Sequence, residues 1–317
     1  MRPAGRWGPG GALLLALGGC VAPPHGAAPL SRPVVPGTAP APELRPGVAL
    51  PASPGPSAGF AFTGTMRQGG MLIGIAPRGT VSLTLDGADV PMAGDGRFLI
   101  AFGRDHGPAA TLIAARADGA RVTDHLVIAP GTYRIEALPI PKYQQPEAEF
   151  LKIRAGELAQ IKAARETAET VRSDGWRQAF LWPANGRISG AFGAQRVYNG
   201  EKGSFHSGED IAVPTGTPVR APADGVVILA ATGAPFTLEG HLLMVAHGMG
   251  LDSAFLHLSH IDVKVGDVVR QGQVIGESGM TGRATGPHLH WALTWRGERI
   301  DPKLVAPAME ELATSPK

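Results

Sequence analysis

Two short stretches of this 317-residue chain carry residue types that hold metal ions. His206-Ser207-Gly208-Glu209-Asp210 sets an imidazole and a carboxylate four residues apart, and His288-Leu289-His290 sets two imidazoles two apart. On a strand, residues i and i+2 share one face, so both rings of the second stretch can point into one site. Zinc takes nitrogen and carboxylate oxygen ligands in tetrahedral array, and a catalytic site keeps one position for water. Two histidines and one aspartate would leave that position open. A third stretch, Phe255-Leu256-His257-Leu258-Ser259, is strand-like and holds a further histidine among apolar neighbours. The chemistry this pattern points to is metal-assisted hydrolysis.

Ten histidines are present, seven of them between His206 and His290. His25, His106, His125, His241 and His260 read as surface or internally satisfied residues, and His247, just before Gly248 in a turn, as structural. There is no His-Glu-x-x-His, so no glutamate in that setting serves as base. Gly55-Pro56-Ser57-Ala58-Gly59 matches Gly-x-Ser-x-Gly, but it lies among prolines, without the strand-turn-helix context of a nucleophile elbow. A phosphate-binding loop with a lysine is absent.

The elements that must position these residues are mainly β. From Trp182 to Leu304, glycines and β-branched residues return, with strands predicted at Val226–Leu229, Leu242–Val245 and Val263–Val265, giving a glycine-rich β domain over residues 182–305. From Gly59 to Ile140, short alternating segments stop at Asp86-Gly87, Asp95-Gly96 and Asp118-Gly119, which predicts hairpins and a small β-sandwich over 59–140. That domain holds no catalytic constellation, and its Asp105-His106 pair reads as solvated. Between the two, Glu, Lys, Arg, Ala and Gln dominate, and Leu151, Leu158, Ile161, Ala168 and Val171 recur at helical spacing. The pattern predicts a connecting amphipathic helix over 146–174, opened by Pro146 and stopped at Gly175.

Composition narrows the function. The formal charge of +2 lacks the basic excess of a nucleic-acid binder, and a 44% hydrophobic content can build a core. The single cysteine excludes a disulfide scaffold. It sits at position 20, after Arg2, Arg6 and an apolar run from Gly11 to Gly19 too short to span a membrane. Residues 1–19 read as a signal peptide. From Val21 to Ala58, 11 prolines in 38 residues predict a stiff linker that cannot pack a core.

Leu17-Gly18-Gly19-Cys20 resembles the lipobox of bacterial lipoproteins, which implies lipid on Cys20. Val21, not aspartate, follows it, so the lipoprotein sorting rule implies a periplasmic protein anchored to the outer membrane of a Gram-negative cell. Residues Gly190 to Asp301-Pro302 resemble the lysostaphin-type, or LytM-like, zinc endopeptidases, metallopeptidase family twenty-three. The motifs that carry it include Gly190-Ala191-Phe192-Gly193, His206–Ala212, Pro214–Val219, Leu256–Ser259, Gly272–Gly276 and Thr281–His290. The resemblance implies a compact, glycine-rich, mainly antiparallel β fold with Zn2+ in a groove, bound by His206, Asp210 and His290, and with His257 and His288 flanking the catalytic water. It implies hydrolysis of peptide cross-links between peptidoglycan stem peptides, in wall growth, remodelling or division. Glu209 departs from the pattern, standing where the family has an aliphatic residue.

Two rival readings come with the same residues. Relatives with degenerate sites activate cell-wall amidases instead of cutting, and such a divisome or amidase partner is the non-enzymatic alternative, with a latent site compatible with either. The run Val263–Val269 followed by Gln271–Gly276 also resembles a lipoyl carrier hairpin, but no lysine stands at a suitable turn, and a carrier has no use for His-x-His.

Overall fold

The computed structural model describes residues 59–138, 148–233 and 235–306. Cys20, the proline-rich linker and Pro146 lie outside the described residues. The sandwich consists of β1 (Ala61–Gly64), β2 (Met71–Ile75), β3 (Thr80–Leu85), β4 (Ala88–Asp89), β5 (Arg97–Ala101), β6 (Ala109–Arg116) and β7 (Arg121–Val127). These form one sheet ordered β1-β2-β5 and a second ordered β4-β3-β6-β7. Alternation does the work it should in β6, where Ala110, Leu112 and Ala114 are buried. Asp86 and Gly87 take φ of 49° and 83°, as a two-residue hairpin turn between paired Leu85 and Ala88 requires.

A linking strand, β8 (Ile135–Leu138), precedes helix α1 (Ala148–Ala168). The second half of the chain contains β9 (Arg187–Gly190), β10 (Gln195–Tyr198), β11 (Glu201–Phe205), β12 (Glu209–Ala212), β13 (Pro218–Arg220), β14 (Gly225–Ala230), β15 (His241–Gly248) and β16 (Leu251–Leu258). It continues through β17 (His260–Ile261), β18 (Val268–Val269), β19 (Val274–Glu277), β20 (Leu289–Trp295) and β21 (Glu298–Ile300). Its main sheet runs β18-β14-β15-β16-β20-β12-β9, with β21 on β20. The strand predicted at Val263–Val265 does not form: residues 263–264 are irregular, Val265 and Gly266 turn, and backbone bonds to β14 begin at Gly266, just ahead of β18.

The two halves share one buried apolar cluster, from Phe98 and Leu112 through Trp176 and Phe180 to Trp291 and Leu293. The linking strand ties them further, since β8 pairs in parallel with β10.

Helix α1 is shorter than the predicted 146–174. Among the described residues it spans Ala148–Ala168, and Thr170 ends it by directing both its N–H and its hydroxyl to Thr167 O. Gly175 opens a short 3-10 turn rather than stopping the helix. Leu151 and Leu158 are half exposed, and the buried face is Glu157, Ile161, Ala164 and Ala168. The small residues on that face seat the helix against Ile228, Met244, Ala254 and Ala292 of the sheet.

Behind β20 lies a satisfied polar chain. Trp291 Nε1–H donates to Ser253 Oγ (3.3 Å), whose single proton goes to His247 Nε2 (2.8 Å). His247 Nδ1–H then donates to Asp224 O (2.9 Å), so the ring is neutral with one tautomer. Burial pushes its pKa down to about 4, against the Asp224 contacts. Because the folded pKa lies below the unfolded value, this stabilisation is complete above about pH 6.5 and is lost as pH falls toward 4. Its full size is about 3 kcal/mol. The melting-temperature advantage of the wild type over His247→Gln is therefore expected to narrow steadily from pH 7 to pH 4. A pH-independent gap in thermal melts would contradict the assignment.

Candidate metal centre

Strand register brings the widely separated motifs together. On β20, His290 sits between Asp210 of β12 and Leu256 of β16, each its direct antiparallel partner. His257 follows Leu256, and His206 lies just ahead of β12. The site residues predicted from sequence, His206, Asp210, His257, His288 and His290, thus gather at one end of the central strands.

Three ligand atoms converge. His206 Nε2 lies 3.0 Å from Asp210 Oδ1, His290 Nδ1 lies 2.8 Å from the same oxygen, and the two nitrogens are 3.1 Å apart. His206 Nδ1 faces the carbonyl of Ala191 at 3.1 Å, so that nitrogen carries the proton and Nε2 a lone pair in the neutral ring. A lone pair aimed at a carboxylate oxygen is repulsive unless a proton or cation sits between them. Ligands about 2.0–2.1 Å from a tetrahedral zinc stand about 3.3 Å apart, close to this triangle. The donor set, two imidazoles and one carboxylate, is one that zinc accepts.

Two glycines make room for it. A Cβ on Gly208 would lie 2.3 Å from Trp291 O and 2.8 Å from His290 Nε2, and one on Gly190 would lie 2.3 Å from Asp210 Oδ2. Both ligand side chains therefore rest against backbone that no other residue could supply without displacement.

His257 and His288 flank the triangle, with ring centroids 4.7 Å apart. Each is held by a backbone carbonyl: His257 Nδ1–H donates to Thr281 O and His288 Nδ1–H to Gly286 O, both at 2.8 Å. This leaves Nε2 of each as the free ring atom, and His288 Nε2 is 3.7 Å from Asp210 Oδ1. Burial, then the neighbouring imidazoles, push the His257 pKa down to about 4 against the Thr281 bond, so that ring is uncharged at neutral pH. Burial also lowers His290. For His206, burial opposes the charged form, but contact with Asp210 outweighs it and the pKa rises. Burial works against the Asp210 carboxylate too, yet the two imidazoles hold it well below the usual carboxylate range.

The loop Ala191–Ala194 orients His206, through Ala191 O on its ring and paired backbone bonds from Gly193 and Ala194. Glu209 is fully buried beneath this loop. Its Oε1 accepts the Phe192 N–H at 2.9 Å, and its Oε2 lies 3.1 Å from Lys303 Nζ. Burial raises its carboxyl above the usual range, against those two contacts. This buried acid ties the loop from behind. The sandwich contributes Arg104, whose Nε–H donates to Gly193 O (2.9 Å) while its guanidinium stacks over Tyr133 and Phe205. Nothing local in the sequence marks Arg104 or Lys303 for this.

The family pattern described as Peptidase family M23 matches residues 204–302. Peptidoglycan DD-endopeptidase ShyA of Vibrio cholerae is 43% identical over 116 residues, 36% of this chain and 26% of that protein. DD-carboxypeptidase/endopeptidase Mpg of Neisseria meningitidis is 39% identical over 131 residues, 41% of this chain and 30% of that protein. The matches thus span less than a third of these curated relatives. A solved candidate M23 peptidase from Pseudomonas aeruginosa superimposes with a TM-score of 0.56 at 30% identity, covering 76% of this chain and 94% of that one.

Geometry separates ligands from flanking groups, and metal binding should too. Asp210→Ala is expected to lose zinc, and His288→Ala to keep it, by metal analysis of dialysed protein. Gly208→Ala, which crowds His290, should weaken zinc about 10- to 100-fold in competition with a chelating dye. Full zinc retention by Asp210→Ala would remove it from the ligand set.

Proposed function

This chain belongs to peptidase family M23, and on that premise we propose that it is a zinc metalloendopeptidase that cuts peptide cross-links of peptidoglycan. The observation that carries the reading is the convergence of two imidazole nitrogens and a carboxylate oxygen on one point, flanked by two imidazoles whose tautomers are fixed by backbone carbonyls. His206, Asp210 and His290 would hold the zinc, which would supply Lewis-acid activation of water and of the scissile carbonyl.

The chain's own residues do the proton work. His257 and His288 present Nε2 lone pairs toward the site, so one of them takes a proton from the attacking water. Once charged, an imidazole can donate to the leaving amine or the developing oxyanion. The Thr281 and Gly286 carbonyls keep each ring oriented and stabilise its charged form. His206 and Asp210 keep the contacts that hold the metal throughout.

The named activities of the relatives and the sequence around Cys20 support this reading of substrate and place. Two relatives are named as endopeptidases, one explicitly of peptidoglycan. We assign the chain to the periplasmic side of the cell envelope, tethered by lipid on Cys20, because the sole cysteine closes the Leu17-Gly18-Gly19 run. Among the described residues no helix is long and apolar enough to cross a membrane.

Purified sacculi incubated with the zinc-loaded chain should show cross-linked muropeptide dimers falling to monomers by mass spectrometry. His288→Ala should leave the dimers intact. Intact dimers with the zinc-loaded wild type would contradict the endopeptidase reading and favour an amidase-activating role, tested next by adding amidase.

A further inference from the structure

His257 carries the most demanding backbone in the site. Its φ is +64°, in the left-handed region that a non-glycine residue enters only when its surroundings hold it there. The backbone holds it at two points. Its N–H donates to Glu239 O at 2.8 Å, and its ring Nδ1–H donates to Thr281 O at 2.8 Å. Both acceptors belong to loops that interlock. His241 N–H donates to Thr281 Oγ1, Arg283 N–H donates to Leu238 O, and a Cβ on Gly240 would lie 2.3 Å from Thr281 Oγ1.

The loop that carries Glu239 is fastened from outside the family-matched residues. Arg154, on helix α1, forms a two-pronged contact with Glu239, with Nη1 and Nη2 each 2.6 Å from a carboxylate oxygen. Arg154 also bonds Glu157 (2.8 Å), and Glu157 in turn accepts the N–H (2.6 Å) and hydroxyl (2.7 Å) of Thr237. The side chains of Arg154, Glu157 and Glu239 are all at least 85% shielded from solvent. An exposed pair would be worth little, but this fork is enclosed and geometrically fixed. Helix α1 thus grips one loop at two residues, and that loop's carbonyl sets the backbone of the flanking histidine.

We propose that Arg154 is a positioning residue for His257, acting through Glu239, so that the first half of helix α1 supports the catalytic histidine. The inference rests on the peptidase reading above. The metal triangle makes no contact with this fork, so zinc binding and proton transfer are separable here.

Full-length Arg154→Met is expected to bind zinc normally but to lose about 100-fold in kcat on muropeptide dimers, the scale of loss from a misplacement of about 1 Å. Arg154→Lys keeps the charge without the fork and should recover part of that loss. Arg165→Met is the control. It removes an ion pair to Asp252 (3.8 Å) at the other end of the same helix, lowering the melting temperature while leaving kcat near wild type.

A second readout needs no activity. In imidazole 1H–15N spectra, the His257 Nδ1–H should be protected from exchange in the wild type and lose that protection in Arg154→Met. His247, bonded to Asp224 O, provides an internal reference that stays protected. Should Arg154→Met fail to fold, Glu239→Gln breaks the same fork from its other side and should give both losses. Wild-type kcat together with a protected His257 proton in these variants would overturn the proposal. If the wild type cuts nothing, the peptidase reading falls, and the proton-exchange result alone decides whether Arg154 positions His257.

Discussion

Much of the architecture depends on the meeting of three polar side chains at one point. A carboxylate oxygen and two imidazole nitrogens point at one another from about 3 Å. Each could relax by turning toward solvent or finding its own donor, yet the surrounding chain forbids it. Cross-strand register fixes Asp210 opposite His290, Ala191 O claims the one proton of His206, and Gly190 and Gly208 let the ligand side chains lie flat against backbone. Two imidazoles and a carboxylate so placed suit a dipositive ion, and much of the second half of the chain serves to hold that arrangement.

The features that hold the site come from three directions. Behind it, the Trp291–Ser253–His247–Asp224 chain gives β20 a fully satisfied polar backing with one allowed tautomer. On one side, Glu209, Lys303 and Arg104 fasten the Ala191–Ala194 loop that orients His206. On the other, helix α1 fastens the loop that sets His257. Each is a buried or half-buried polar contact, the kind that contributes little net stability but leaves a costly unpaired group when broken. Such contacts are well suited to keeping geometry unique.

The candidate ligands were legible in the sequence because their spacing is local. His206 and Asp210 are four apart, and His288 and His290 are two apart on a strand, so composition and period suffice. The hairpins of the sandwich were legible for the same reason, at Asp-Gly pairs whose backbone demands are intrinsic. The supports were not legible, because their partners are remote: Arg154 and Glu239 stand 85 residues apart, and Arg104 and Gly193 stand 89. Helix α1 shows the failure most clearly. Helical spacing puts Leu151 and Leu158 in the apolar stripe with Ile161 and Ala168, yet Glu157 is buried and both leucines are half exposed. A buried glutamate is acceptable only because Arg154 and Thr237 satisfy it, and no periodicity announces that.

Family membership is recognised over residues 204–302, but the supports at Arg104 and Arg154 lie outside that stretch. The unit that sequence similarity identifies and the unit that is mechanically whole are therefore different. A gene rearrangement that moved only the recognisable stretch would carry every ligand into a new protein and leave behind the anchors on both sides. Inheritance of such a site as a working device favours transfer of the longer piece, sandwich and helix included, and new hosts that receive the shorter one must evolve anchors of their own.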